Sequence, residues 1–394
     1  MDRKRVNLVD ILIFLYIFFL PFIRIGVKIF NYTFSISDFI LINLFIYYLS
    51  KKFNNFVIKI EIKKFLMFYL IFLVFISFSL INALNIKAGI IDLLAYIYGG
   101  ILMFIFSLYL SEREEYGLAI INYAFIVSIF LIGLISLLLF TNLEIKKFVI
   151  SEAYKYIFFM RYPNQLAIYL IICFSIYLVL DGILKSNNNW INNFSKLIPP
   201  IFFITVVLTG SGVGMFIAFF LIIYYYFLEL KKKKIFSSIW VLIVIGLIFI
   251  ILVLISPDVS YRIKYESKLL LRNIFSFSLT KGDMREENFK TGINIFFNHP
   301  IKGVGLGNVI GNYCENEIHN SYISFLAETG IIGSSILFLL LIYPLFFIFK
   351  IELNIFFIYA SVLFFAFFHY IFRERWWWLF FILFFYIILY KRKN

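Results

Sequence analysis

The side chains equipped for chemistry are few, and most lie between Lys281 and Gly333. The histidines are His299, His319 and His369, and none forms an HxxxH pair. Cys173 and Cys314 are too few for a disulfide framework or a cysteine metal cluster. No Asp-x-Asp pair offers the usual carboxylate grip on a divalent metal, so neither metal nor cofactor is expected. His319 stands between a polar loop and an apolar run, where an imidazole can act as a general base near neutral pH. A solvated loop histidine fits the same position. Arg285 can hold a phosphate in bidentate fashion, or snorkel to a lipid headgroup. Glu328 is nine positions beyond His319. On one continuous helix the two would sit on opposite sides, roughly 13.5 Å apart along the axis, so a structural role suits Glu328 better.

The elements that must position these residues belong to a membrane protein. Of 394 residues, 63% are hydrophobic, 22% aromatic and only 15% charged. Soluble proteins are about 45–50% apolar and about 25% charged, and a water-exposed surface could not hide the difference. A soluble enzyme, a nucleic-acid-binding domain and a disordered chain are excluded. Apolar runs of about 20 residues each suffice to cross the hydrocarbon core. They predict spans near 7–25, 34–50, 65–84, 90–110, 117–140, 164–181, 197–210, 212–230, 236–256, 321–349, 353–371 and 376–390. The first, although it starts like a signal peptide, shows no small-residue cleavage site and reads as an uncleaved span. Only Thr209-Gly210-Ser211-Gly212 separates the seventh from the eighth.

With both termini cytoplasmic, nineteen Lys/Arg fall on inner segments, nine on short outer loops and eight in the long segment 257–318. That bias places 257–318 outside the cytoplasm. The expected organisation is spans one to nine over 1–256, an extracytoplasmic loop with a short amphipathic helix over 257–318, and spans ten to twelve over 319–394. The basic clusters at 51–64 and 231–234 read as topology anchors beside anionic headgroups. Trp376-Trp377-Trp378, flanked by Arg373 and Arg375, reads as an interfacial aromatic belt.

Within the outer loop, Asp283 and Glu286 fit a capping box opening a helix that should end at Asn298-His299-Pro300. Phe289, Ile293 and Phe296 form its apolar stripe, suited to the membrane surface, with Arg285 on the same face. Then Gly303-Val304-Gly305-Leu306-Gly307 permits a sharp turn or a close backbone approach. It lacks the third glycine and the βαβ setting of a dinucleotide fingerprint.

His319-Asn320, nine residues, then Gly330-x-x-Gly333 resembles the signature of the bacterial O-antigen ligase and polymerase superfamily. Arg285 followed by His299-Pro300-x-x-Gly303-x-Gly305 resembles the stretch preceding that signature, and Arg161-x-Pro163-Asn164 resembles a segment at the outer end of a middle span. The resemblance implies a metal-independent, inverting membrane glycosyltransferase of GT-C type in the bacterial cytoplasmic membrane, active on the extracytoplasmic face. Its donor would be a glycan on undecaprenyl diphosphate, its acceptor the lipid A-core (ligase) or another lipid-linked glycan (polymerase). His319 would be the base or acceptor-positioning group, and Arg285 would hold the diphosphate. Where the family often has Thr-x-Ser-Arg, this chain reads Thr209-Gly210-Ser211-Gly212. Arg161, Arg262 and Arg272 are the candidates to replace that arginine. The rival from another class is a lipid-linked glycan flippase or transporter, which calls for paired, interrupted spans with midplane charges. The sequence shows no half-to-half symmetry.

Overall fold

The computed structural model describes residues 6–29, 32–51, 58–138, 157–181, 196–231, 284–348 and 353–393. The span predicted near 236–256 and the loop positions Arg262, Arg272 and Asp283 lie outside them. The described chain is almost wholly helical apart from one hairpin, and it divides into two compact units.

The first unit contains α1 (Leu8–Phe19), a hairpin of β1 (Gly26–Ile29) and β2 (Tyr32–Ser35), and most of α2 (Ile36–Ser50). It also holds the second part of α4 (Ile86–Leu138), α5 (Pro163–Asp181), α6 (Ile198–Thr209) and α7 (Gly212–Lys231). Asn7 and Asp10 cap α1 reciprocally, each side chain accepting the other's backbone N–H at 2.9 Å. Every residue of α5 from Leu166 to Leu180 is buried, so that helix is enclosed by protein on all sides. The thin break between α6 and α7 is real. Gly210 adopts the left-handed conformation, φ 63°, that ends α6, and the Ser211 hydroxyl accepts the Gly214 N–H at 3.2 Å to start α7.

The second unit holds α3 (Ile60–Ser77) and the first part of α4. It continues with α8 (Met284–Asn298), α9 (Ser321–Ile342), the short α10 (Leu345–Ile348), α11 (Leu353–Phe365) and α12 (Arg375–Lys393). The spans predicted at 90–110 and 117–140 are joined directly within α4, broken only at Glu114 (φ 49°, ψ −124°). Met67, Leu70 and Val74 of α3, and Ile331, Leu339 and Ile342 of α9, point outward. Such surfaces suit lipid, and an α-helix satisfies its own backbone there.

Five described helices are long and apolar enough to cross a membrane: Ile60–Asn82, Ile86–Ser136, Pro163–Asp181, Gly212–Glu229 and Ser321–Ile348. Leu8–Phe19, Ile36–Ser50, Ile198–Thr209 and Ile355–Phe365 are shorter apolar helices.

The aromatic-belt reading of Trp376-Trp377-Trp378 is corrected. All three side chains are almost fully buried, as is α12 from Trp376 to Leu389. The Trp378 indole donates to the Phe372 carbonyl at 2.9 Å and meets the Tyr69 ring edge-on at 4.8 Å. A run of bulky apolar residues looks alike whether it faces lipid or protein, and here neighbouring helices cover it.

Candidate functional site: a capped helix start over a buried ion network

The second unit assembles most of the residues singled out from the sequence. α8 stops at Asn298, and the chain turns at His299-Pro300 into the glycine-rich segment. Gly303, Gly305 and Gly307 have φ of 67°, 98° and 64°, which L side chains rarely adopt. They allow the loop to lie against a break in α9. Gly330, at φ 63° and ψ −164°, interrupts that helix, and carbonyls just before it turn to the loop. Ala327 accepts from Val304 N–H at 3.0 Å and Glu328 from Gly305 N–H at 2.9 Å, while Ile331 N–H donates to the Pro300 carbonyl at 2.8 Å. The fit is mutual. A Cβ on Gly303 would meet the Glu328 carbonyl group at 2.4 Å, and one on Gly330 would meet that of Ile301 at 2.4 Å. The two glycine motifs are halves of one backbone lock.

The opposite edge of the loop is held by the turn before α4. The Asn82 amide donates to the Gly303 carbonyl at 3.1 Å, and Leu306 N–H donates to the Ser79 hydroxyl at 3.3 Å. Asn308 is fully buried, accepts Asn85 N–H at 2.6 Å and donates to the Asn85 carbonyl at 3.2 Å. Nothing in the sequence around Asn308 marks it out. A buried amide is legible only once its partners are known.

His319 lies two residues ahead of α9, and its neighbours fix the backbone there. Asn320 is the N-cap, its Oδ1 accepting from Tyr322 and Ile323 N–H, each at 3.0 Å. Ser321 N–H donates to the Ala366 carbonyl at 2.8 Å. Its hydroxyl donates to the His369 carbonyl and accepts Ile371 N–H, stapling the 366–371 turn to the helix start. The half-buried His319 ring lies edge-on to the buried His369 ring, centroids 5.9 Å apart.

Beneath this runs a polar network that the sequence reading missed. Arg373 donates from one nitrogen to both oxygens of Asp92, at 3.0 and 3.2 Å, and from the other to Glu317 at 2.6 Å. Its guanidinium stacks 4.2 Å over the Tyr370 ring. The Tyr370 hydroxyl donates to the Glu328 carboxylate at 2.7 Å and lies 3.4 Å from the Tyr96 hydroxyl. Burial works against the Arg373 charge, yet Asp92, Tyr370, Glu328 and Glu317 outweigh it and hold its pKa well above the ordinary value. In the sequence Arg373 stands out only as a flank of the tryptophan run, and Asp92 not at all. The signal available there was merely an acidic residue inside an apolar run.

The remaining candidates are placed as follows. Asn320, Glu328, Gly330, Gly333, Gly303 and Gly305 join His319 in the second unit. Glu328 is buried and engaged by Tyr370 and by Gly307 N–H, the contacts of an anchor. Gly333 faces the Thr329 side chain within α9. Arg285 is described for its backbone, one helical turn before Asn288, whose amide reaches the Asn316 and Glu317 carbonyls at 3.4 Å. On α8 the buried residues are Gly292 and Ile295, and Gly292 faces Ile318 and Ile323. Phe289, Ile293 and Phe296 are half-buried beside that contact. Arg161 belongs to the first unit, exposed, its carbonyl accepting from Arg24 at 3.4 Å. Among the described residues no three His, Cys, Asp or Glu side chains are grouped to hold a metal ion.

A search of curated proteins finds no match to this chain. Residues 201–338 match the family model described as O-antigen ligase. That segment holds His319, Asn320, the glycine loop and both glycines of the α9 motif. Over this segment the chain is similar to the O-antigen ligase family.

Proposed function

We propose that the protein is a membrane glycosyltransferase of the O-antigen ligase type, of GT-C architecture with about twelve spans. It moves a glycan from undecaprenyl diphosphate to a hydroxyl of lipid A-core at the extracytoplasmic face of the bacterial inner membrane. The observation that carries this reading is His319, held by the Asn320 cap and the Ser321 staple at the head of α9, within the segment that matches the family. The excess of Lys/Arg on the segments assigned to the inside supports the orientation.

In this reading the acceptor oxygen attacks the anomeric carbon and gives its proton to His319. The bond from that carbon to the diphosphate oxygen breaks, its electron pair leaves with the lipid diphosphate, and the configuration inverts. The diphosphate is already a competent leaving group, so the protein must supply a base and a positive field. Arg285 is assigned to the diphosphate, with Arg161, Arg262 and Arg272 as further candidates for the arginine absent at Gly212. No metal takes part.

His319→Ala should reach the membrane folded and lose transfer by at least about 100-fold, the usual scale for a general base. Purified protein given the lipid-diphosphate glycan with either lipid A-core or a second lipid-linked glycan tests the reading. Extension of lipid A-core supports a ligase, and extension of the second glycan makes the protein a polymerase of the same superfamily. Inactivity with both, together with movement of the donor across proteoliposomes, would establish a flippase. Parental transfer by His319→Ala removes the base assignment.

A further inference from the structure

The Asp92–Arg373–Glu317 chain joins three separate stretches: the start of α4, the turn before α12 and the two-residue approach to His319. Asp92 is nearly buried in a helix, while Glu317 lies on an irregular segment and its side chain is 39% exposed. The guanidinium therefore has one end on a helix and the other on an irregular segment. At the irregular segment its 2.6 Å bond to Glu317 holds the chain two residues before His319. The Tyr370 ring lies under the guanidinium, and the preceding residue is His369, whose ring faces that of His319. One cation thus fixes both the approach to the imidazole and the wall opposite it. Glu317 is not needed for charge balance at Arg373, because Asp92 already accepts two bonds from it.

We propose that Arg373 and Glu317 are positioning residues that clamp the His319 backbone in its working orientation. The inference rests on the reading of His319 as the base. Neither residue is assigned a contact with substrate. A displacement of about 1 Å at a reacting group lowers turnover by about 100-fold, so a loosened clamp acts on kcat and leaves donor binding alone.

The test uses the full-length protein in nanodiscs, with Glu317→Ala, Glu317→Gln and Arg373→Lys. Glu317 is chosen because it is half-exposed, so its variants fold without an orphaned buried charge. Arg373→Lys keeps the charge, but a single ammonium cannot serve two carboxylates on separate elements with a planar fork. Glu317→Ala is expected to lower kcat by about 10- to 100-fold with the donor KM within about twofold, and Arg373→Lys to do likewise. Glu317→Gln, which keeps an oxygen acceptor, should recover part of the loss. Amide hydrogen exchange across 316–322 should be faster in Glu317→Ala than in the parent. Parental exchange there overturns the clamp, and faster exchange with parental kcat overturns its part in catalysis. His319→Ala, assayed alongside, separates the two readings. If that variant keeps parental turnover the base assignment fails, while the exchange comparison still decides whether the clamp exists.

Discussion

Replacing Gly330 by alanine should be among the most damaging small changes in the second unit. Two effects combine. At φ 63° and ψ −164° the backbone lies in a region that is essentially glycine's alone, and a side chain there costs about 1–3 kcal/mol. The new Cβ would also sit 2.4 Å from the Ile301 carbonyl carbon and oxygen and 2.7 Å from the Gly303 nitrogen. Those are backbone atoms, which cannot rotate away, and overpacking of this kind costs about 1–3 kcal/mol more. The sum, about 2–6 kcal/mol, is comparable with the whole stability of a typical domain. Two controls separate the contributions. Gly311 has φ 83° but nothing within 4 Å of a Cβ, so Gly311→Ala should carry conformational strain alone, about 1–2 kcal/mol. At Gly333 no positive φ is involved, but a Cβ would meet the Thr329 Cβ and Oγ1 at 2.6 Å, so Gly333→Ala should carry the steric contact without the strained φ. There alanine gains about 1 kcal/mol of helix propensity, which offsets only part of a contact with a Cβ that its own backbone holds in place. Thermal unfolding in detergent, followed by tryptophan fluorescence, should place Gly330→Ala lowest, with Gly311→Ala and Gly333→Ala, which each carry one of the two effects, nearer the parent. Gly330→Ala melting together with Gly311→Ala would refute the backbone lock.

Removing Asp92 with alanine should destabilise the protein by about 1–3 kcal/mol, because a half-buried arginine loses one of its two carboxylates; an unchanged melting midpoint in detergent would contradict the assigned pairing. Burial pushes the Cys314 thiol up from its ordinary value, so it stays protonated near neutral pH. A water-soluble maleimide at pH 7 should therefore leave both buried cysteines, Cys173 and Cys314, unlabelled until the protein is unfolded. Rapid labelling of the native protein, read by mass spectrometry, would show the burial to be wrong.

The identity of the solvent was written in the chain as it stands. Apolar runs are local patterns, and a helix needs no distant partner to satisfy its backbone, so most helices fall where the runs do. α8 ends at Asn298, ahead of Pro300, for an equally local reason, since the residue before a proline is pushed out of the helical region. The glycines at 303, 305 and 307 likewise declared a sharp or close-packed backbone, although not the partner they approach. Direction of burial was another matter. Trp376 to Trp378 carry the composition of a headgroup belt, and only the helices packed around them show that they are interior. Arg373 and Asp92 are 281 residues apart, and nothing in either neighbourhood specifies the other. An ion pair of that separation is selected by packing, because a buried charge is tolerated only where folding delivers its counter-charge. The same holds for Tyr370 on Glu328 and for His369 across from His319. The sequence thus determined the membrane setting and the motif residues, while tertiary structure decided which side chains gather around His319.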